Sequence, residues 1–306
     1  MAKSSAAGRA GDKIFSTLAI AAAISIFLVL GFVAIFLTTS AMPALTSPQD
    51  ELSAASSTGF WGYVAPLLGG TLIASFLAIL IATPIAVGVA LYISHYAPRK
   101  IAQTFGYIID LLAAIPSVVY GAWGMFFLAP AVVPLYRWLN EYLGFLPIFG
   151  TPSNLGRTVM TASVVLAIMI LPIVTSLCRE IFLQTPKLHE EAALALGATK
   201  WEMVKMSVFP FARGGIVSSV MLGLGRALGE TMAVTMVLST GPWTWSLISS
   251  GNATIPSEIA LNFPESYGIR QSELIAAGLV LFIITLAVNM LARWIVNRHK
   301  EFSGAN

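Results

Sequence analysis

Charged residues are scarce in this sequence. Asp, Glu, Lys and Arg make up 10% of the 306 residues, whereas hydrophobic residues make up 57%. Soluble domains contain about a quarter charged residues, so this chain has more apolar surface than a soluble core would bury. A soluble fold is therefore excluded, and the composition predicts an integral membrane protein.

The sequence also lacks the features of a disulfide-stabilised domain and of an ATPase. It has a single cysteine, Cys178, so no disulfide can form within the chain. It has no Gly-Lys pair, and therefore no G-x-x-x-x-G-K-[ST] phosphate-binding loop. We expect that this chain is not an enzyme, that it binds no cofactor itself, and that it has no catalytic residues and no metal site.

Long apolar runs are abundant instead. A transmembrane helix needs about 20 mostly apolar residues. The segments that meet this length are 14–38, 63–95, 106–130, 158–178, 212–239 and 273–296. The first is too long for the apolar region of a cleaved signal peptide, so we expect it to be retained. The sequence thus predicts an all-α membrane protein with six transmembrane helices and both termini on one side.

The distribution of basic residues indicates which side is cytoplasmic. Of the 17 Lys and Arg residues, 13 lie near the chain ends or in the loops after the second and fourth spans. Under the positive-inside rule these regions face the cytoplasm, so the net charge of +3 does not imply a nucleic-acid partner. The predicted organisation is a cytoplasmic tail at 1–13, a transmembrane domain at 14–298 with a cytoplasmic loop at 179–211, and a second cytoplasmic tail at 299–306.

The loop between the fourth and fifth spans has the pattern of two short helices. Thr185 and Pro186 form an N-cap and first-turn pair, and Gly197 suits a left-handed helix end. Thr199 and Glu202 then fit a capping box that opens a second helix. The helices would either rest on lipid headgroups or enter a groove of another protein, and the alanine-rich face of the first favours the groove.

This loop resembles the cytoplasmic loop of the permease subunits of ATP-binding-cassette importers, whose pattern is EAA, three residues, G, nine residues, I, one residue, LP. Ser207 and Phe209 depart from that pattern, and Pro210 closes it near the expected end of the second helix. The resemblance implies the six-helix architecture of type I (MetI-like) importer permeases. It also implies docking of a separate ATPase subunit, which would bind ATP and Mg²⁺. The coupling residues that it implies are Glu191, Ala192, Ala193, Gly197, Thr199 and Trp201.

The fifth predicted span contains two charges, Arg226 and Glu230, within "LGLGRALGETMAVT". On a continuous helix Arg226 would lie about 21 Å beyond Ala212, near mid-membrane, and Glu230 one turn further on the same face. Charges are costly in lipid, so we expect both to face a watery pathway or a buried interface. A guanidinium suits a phosphate group, and a carboxylate can accept the proton that phosphate retains at neutral pH. The alternative is that the two charges only neutralise each other at a helix interface.

The same stretch and "DLLAAIPSVVYGAWG" at 110–124 resemble the phosphate importer permeases of the PstC type. The resemblance implies a multi-pass subunit of the bacterial cytoplasmic (inner) membrane. It implies as partners a homologous PstA-type permease, a PstB-type ATPase dimer, and a PstS-type binding protein that supplies the phosphate. Asp110 joins Arg226 and Glu230 as a candidate pathway residue. It would act as a cytoplasmic gate or, equally well, lie in headgroup-level water or bond to the backbone.

Two other functions stay open from the residues alone. The substrate would be a different tetrahedral oxyanion if the resemblance misleads, or the chain would be an ion-coupled secondary transporter or channel. Secondary transporters often contain inverted repeats and broken transmembrane helices. The sequence suggests neither feature, so we expect an importer permease.

Overall fold

A computed structural model describes residues 6–55 and 57–300 of the chain. Over these residues the chain is helical and contains no strand, and six helices are long and apolar enough to cross a membrane. The predicted all-α fold with six candidate spans is therefore confirmed. The outermost parts of the two predicted tails, 1–5 and 301–306, lie outside the described residues.

The α-helices are numbered in chain order, and π-helical turns extend α2 and join α4 to α5 and α8 to α9. Their bounds are α1 Ala6–Thr46, α2 Gly59–Leu91, α3 Arg99–Ala113, α4 Ser117–Trp123, α5 Ala129–Leu143, α6 Val159–Leu183, α7 Lys187–Ala195, α8 Lys200–Met203, α9 Phe209–Leu228, α10 Met232–Val237, α11 Ile255–Asn262 and α12 Ile269–Lys300. The candidate spans are Gly11–Thr46, Gly59–Tyr96, Ser117–Leu143, Val159–Leu183, Lys200–Leu228 and Ile269–Trp294.

The third span differs most from its predicted limits of 106–130. The chain forms α3 as a separate helix, breaks before Pro116, and spans as Ser117–Leu143. Pro116 explains the break because it has no N–H to donate and disfavours helical geometry in the residue before it. In contrast, Pro84 and Pro172 lie inside α2 and α6, which continue through them.

The fifth span is also broken, so the predicted continuous helix over 212–239 is wrong. α9 and α10 are separated by a non-helical turn at 229–231, where Gly229 lowers helix propensity. At its other end, α8 runs through a π-helical turn directly into α9. Pro210 therefore does not end a helix as expected. It occupies the first turn of α9, directly after the π-helical turn at Val204–Val208.

The two breaks lie against each other. α4, which follows the first break, packs against α10, which follows the second. Gly121 of α4 permits this close approach, because a Cβ atom there would lie 2.7 Å from the Cα atom of Ala233. The first break precedes the third candidate span and the second follows the fifth, so neither interrupts a span as the structure has it.

α6 forms the centre of the bundle. It packs against α2, α3, α9 and α10, and its side chains are the most buried of the six candidate spans. α2 faces the interior with alanines at every fourth position, none more than 1% exposed: Ala74, Ala78, Ala82, Ala86 and Ala90. Small residues at this spacing let helices approach closely.

The two ends of the bundle carry different features. The α7 end contains α7, α8 and the beginning of α9, and the α11 end contains α11 and the beginnings of α2, α6 and α12. α9 therefore runs from the α7 end toward the α11 end, and α12 runs in the opposite direction. The candidate pathway residues lie between these two ends.

Candidate functional site

Arg226 lies in the last turn of α9 and lines a cleft of about 900 Å³ between α9, α12 and α6. Its side chain is exposed and forms no hydrogen bond or ion pair with any other residue that the structure describes. The charge of Arg226 interacts electrostatically with the Tyr120 hydroxyl. The donors of Arg226 are therefore available to an anion that enters the cleft.

Glu230 lies in the turn after α9 and does not line that cleft. It borders a separate small cavity together with hydroxyl side chains from α2 and from the loop before α11. The residue is 9% exposed, and its Oε1 atom accepts a hydrogen bond of 3.1 Å from the N–H of Ala233. The expectation that Glu230 shares a helix face with Arg226 is wrong, because α9 ends at Leu228.

Arg226 and Glu230 do not form an ion pair within 4.0 Å in the described part of the chain. The alternative in which the two charges only neutralise each other therefore has no support from this geometry. Glu230 instead caps the beginning of α10, since it accepts the N–H three residues further along. The carboxylate thus fixes the turn that follows the last helical turn carrying Arg226.

Tyr120 is a site residue that the sequence reasoning missed. It follows the break in the third span, and its hydroxyl donates a 2.9 Å hydrogen bond to the carbonyl of Leu112. In a continuous helix that carbonyl would accept from residue 116, which is a proline and has no N–H. Tyr120 therefore stabilises the break and interacts electrostatically with Arg226, and the proline before it was the only signal in the sequence.

Asp110 lies in α3 and borders neither the cleft of Arg226 nor the cavity of Glu230. Its Oδ1 atom accepts a 2.9 Å hydrogen bond from the hydroxyl of Ser176 in α6, and its side chain is exposed. The structure thus gives Asp110 a side-chain partner, where the sequence suggested a gate, headgroup-level water or a backbone bond. The three predicted pathway residues lie in three different environments, and Arg226 alone lines the large cleft.

The helix pair at the α7 end has the predicted local structure. Gly197 has a φ of +87°, so the expected left-handed helix end is confirmed. Thr199 and Glu202 form the expected capping box, in which the N–H of Thr199 donates to Oε2 of Glu202 at 2.7 Å. The N-cap of α7 differs: Pro186 occupies it, and not Thr185.

Most of the predicted coupling residues are exposed on this helix pair. Glu191, Ala192, Gly197, Thr199 and Trp201 are exposed, whereas Ala193 is buried against the bundle. The same surface exposes large apolar side chains: Leu196 is 90% exposed, Leu188 76% and Trp201 50%. Exposed apolar patches on ordered helices commonly mark sites of protein contact.

The helix pair is held firmly against the membrane helices. Nε2 of His95, which follows α2, lies 3.5 Å from Oε1 of Glu190 in α7. The hydroxyl of Ser207 donates to the carbonyl of His189 at 3.1 Å. Since α8 also continues into α9, a displacement of this surface would be transmitted directly to the helix that carries Arg226. The sequence reasoning did not identify His95 or Glu190.

A cluster of charges at the α11 end was also missed. Arg270 contacts Oε1 of Glu258 at 2.8 Å and Oε2 of Glu273 at 3.2 Å, and it donates to the Tyr63 hydroxyl at 2.9 Å. Glu273 is fully buried and also accepts the N–H of Ser53 at 2.7 Å. Arg270 lies in the first turn of α12. The cluster ties the loop before α2 to α11 and α12.

Comparison with known proteins identifies the family of this chain. Residues 82–301 match the family described as binding-protein-dependent transport system inner membrane component. The phosphate transport system permease protein PstC 2 of Mycobacterium tuberculosis is 46% identical, over 93% of this chain and 91% of the relative. The phosphate transport system permease protein PstC of Mesorhizobium japonicum is 38% identical, over 96% of this chain and 92% of the relative.

A crystal structure supports the fold. A chain of a bacterial ABC transporter involved in the import of the acidic polysaccharide alginate superposes with a TM-score of 0.61 and 19% identity. The match covers 95% of this chain and 99% of that one. The chain belongs to the family of binding-protein-dependent transport system inner membrane components, and it is a homologue of the PstC phosphate transport permeases.

Proposed function

We propose that this chain is the transmembrane permease subunit of an ATP-driven phosphate importer. The observation that carries the proposal is an unpaired guanidinium, Arg226, in a cleft of about 900 Å³ between transmembrane helices, in a chain homologous to phosphate transport permeases. An intramembrane charge without a protein partner is costly unless water or a ligand satisfies it. Phosphate is the ligand that the names of the relatives suggest.

The α7 end faces the cytoplasm in this proposal, because the loops on that side and the chain ends together carry most of the basic residues. The α11 end then faces the PstS-type binding protein that delivers phosphate. A homologous PstA-type subunit completes the pathway on the other side. Phosphate enters from the α11 end, contacts Arg226 between the two membrane surfaces, and leaves at the α7 end.

Arg226 binds phosphate through its planar fork of donors, which offsets part of the cost of removing water from the anion. Glu230 has a positioning role, because it caps α10 and thereby fixes the break beside Arg226. Asp110 is proposed as a gate residue on the α7 side, where its bond to Ser176 holds α3 against α6. Separation of α3 from α6 would break this bond.

The exposed surface of α7 and α8 docks a PstB-type ATPase dimer, which binds ATP and Mg²⁺. Leu188, Leu196 and Trp201 supply the apolar contact, and Glu191, Ala192, Gly197 and Thr199 complete the surface. Ala193 supports it from inside. The contact between His95 and Glu190, and the continuity of α8 with α9, carry motion of the ATPase to the cleft.

A second candidate is an ion-coupled secondary transporter. The packing of α4 against α10, each of which follows a helix break, favours it, because paired broken helices form the binding sites of many such transporters. The exposed apolar surface of α7 and α8 would have no use in such a protein. A tetrahedral oxyanion other than phosphate is the remaining alternative for the substrate.

Reconstitution separates these functions. The chain is purified in mild detergent, and co-eluting subunits are identified. The resulting complex and the chain alone are placed in liposomes, and uptake of radiolabelled phosphate is measured with and without ATP on the α7 side. We expect uptake by the complex with ATP and the binding protein, and none by the chain alone. Phosphate uptake by the chain alone under an ion gradient would contradict the proposal, and competition by sulfate equal to that by phosphate would contradict the choice of substrate.

A further inference from the structure

The cleft that contains Arg226 contains a second arginine. Arg293 of α12 lines it, together with Asn289 one helical turn earlier. Neither side chain forms a hydrogen bond or ion pair with another residue in the described part of the chain. Arg293 is one of the 13 basic residues near the chain ends and in the loops after the second and fourth spans, which indicate the cytoplasmic side.

The two arginines lie at different depths. Arg226 is about 26 Å along α9 from its beginning at the α7 end, at 1.5 Å per residue. Arg293 is only about 10 Å from the end of α12, which also lies at the α7 end. The cleft therefore leads from a deep guanidinium past the amide of Asn289 to a shallow guanidinium.

The side chain of Asn289 indicates that this cleft is filled by water or by an anion and not by lipid. An arginine near a helix end can extend its long side chain to the headgroups, so Arg293 alone would be compatible with lipid. Asn289 has a short side chain and cannot do so. Its unpaired amide at membrane depth would be costly in contact with hydrocarbon.

We propose that Asn289 and Arg293 form a second phosphate-binding site, through which the anion passes from Arg226 to the α7 side. The proposal rests on the proposed function and deepens it. Passage through a membrane requires sites that bind well enough to admit the ion and weakly enough to release it. A shallow, solvent-exposed guanidinium meets the second requirement, because water and salt weaken its attraction for the anion.

The water-filled cleft is tested by cysteine accessibility in the complete complex without nucleotide. Cys178 is fully buried and is replaced by alanine, so that Asn289→Cys is the only thiol in the permease. Met290→Cys is the matched control. Met290 is the next residue in the chain, its side chain is 63% exposed, and it does not line the cleft. A charged thiol reagent added on the α7 side should modify Asn289→Cys about tenfold faster or more, because a charged reagent does not enter lipid. Equal rates at the two positions would overturn the proposal.

The anion is tested in the same complex. Inorganic phosphate should slow the modification of Asn289→Cys, whereas chloride at equal ionic strength should not, and Arg293→Gln should abolish the protection. If phosphate does not slow the modification of Asn289→Cys while Arg293 is intact, Arg293 contacts a lipid phosphate headgroup instead, and the proposal is overturned. Phosphate uptake by the unmodified complex is measured in parallel. If the complex imports phosphate but phosphate does not slow the modification of Asn289→Cys, only the proposal of a second binding site is wrong. If the complex imports no phosphate, the proposed function is wrong.

Discussion

Two arginines of this chain occupy opposite kinds of environment. Arg270 is surrounded by Glu258, Glu273 and the Tyr63 hydroxyl, all within 3.2 Å of its guanidinium nitrogens. Arg226 lies in an open cleft and has no such partner among the described residues. A charge that is bound by protein partners holds a structure together, whereas a charge without such partners can bind a ligand. The comparison predicts that one arginine determines stability and the other transport.

The largest effect is expected at the paired arginine. Arg270→Gln leaves the carboxylates of Glu258 and Glu273 together without a counter-charge. Breaking a buried ion pair from one side lowers the free energy of unfolding by about 3–5 kcal/mol. The measurement is thermal denaturation of the purified complex in detergent.

The matched control for that change is Arg137→Gln. Arg137 is exposed and forms no ion pair with another described residue, so its replacement should leave the melting temperature unchanged. If Arg270→Gln and Arg137→Gln melt at the same temperature, the cluster at the α11 end does not stabilise the bundle.

At the unpaired arginine we expect loss of function without loss of stability. Arg226→Gln removes charge-assisted hydrogen bonds to phosphate, each worth about 1.5–3 kcal/mol, so uptake should fall about 10- to 100-fold. Assembly with the ATPase and the melting temperature should stay unchanged, because no described partner loses a contact. Uptake is measured in cells that lack other phosphate transporters, and assembly by co-purification.

A double variant sharpens this result. Arg226→Met combined with Glu230→Met removes both charges, and would restore transport if the two residues only neutralised each other. Since the structure shows no ion pair between them, we expect the double variant to be at least as defective as Arg226→Gln. Transport by the double variant at the rate of the unchanged protein would exclude Arg226 from the pathway.

The difference between the paired and the unpaired arginine could not be read from the sequence. The contacts of the Arg270 cluster join residues far apart in the chain: Tyr63 and Glu258 are separated by 195 positions, and Ser53 and Glu273 by 220. Local patterns contain no information about such pairs. They did identify Arg226, because a charge within an apolar run is conspicuous wherever its partners lie.

Local chemistry likewise explains which helices were predicted correctly. The end of α7 at Gly197 and the capping box at Thr199 depend on neighbours within a few residues, and both were predicted. The break at Glu230 was missed because an apolar run of suitable length reads as one continuous helix. In the folded chain Gly121 lets α4 pack closely against Ala233 of α10, and this contact between distant segments is invisible in either segment alone.

A third environment is found in the turn between α7 and α8, where Gly197 has no close contact with other parts of the chain. Gly197 has a φ of +87°, and a Cβ atom there would meet nothing within 4 Å. Gly197→Val is therefore strained only through its backbone, by about 1–2 kcal/mol, and should reorient α7 relative to α8. We expect less ATPase to co-purify, with unchanged insertion of the membrane helices. Gly197→Asn is the control, since asparagine tolerates this conformation, and equal co-purification by both variants would contradict the role of the turn.

The smallest effect is expected at Glu230. Its side chain accepts one hydrogen bond, so it has more protein contacts than Arg226 and fewer than Arg270. Its Oε1 atom accepts the N–H of Ala233, and an amide oxygen can accept the same bond. Glu230→Gln should therefore keep most of the phosphate uptake, whereas Glu230→Ala loses the cap, worth about 0.5–2 kcal/mol, and lets the turn beside Arg226 move. Uptake and melting temperature are compared for the two variants. If Glu230→Gln is as inactive in transport as Glu230→Ala but melts like the unchanged protein, the negative charge itself contacts the substrate, and the positioning role is wrong.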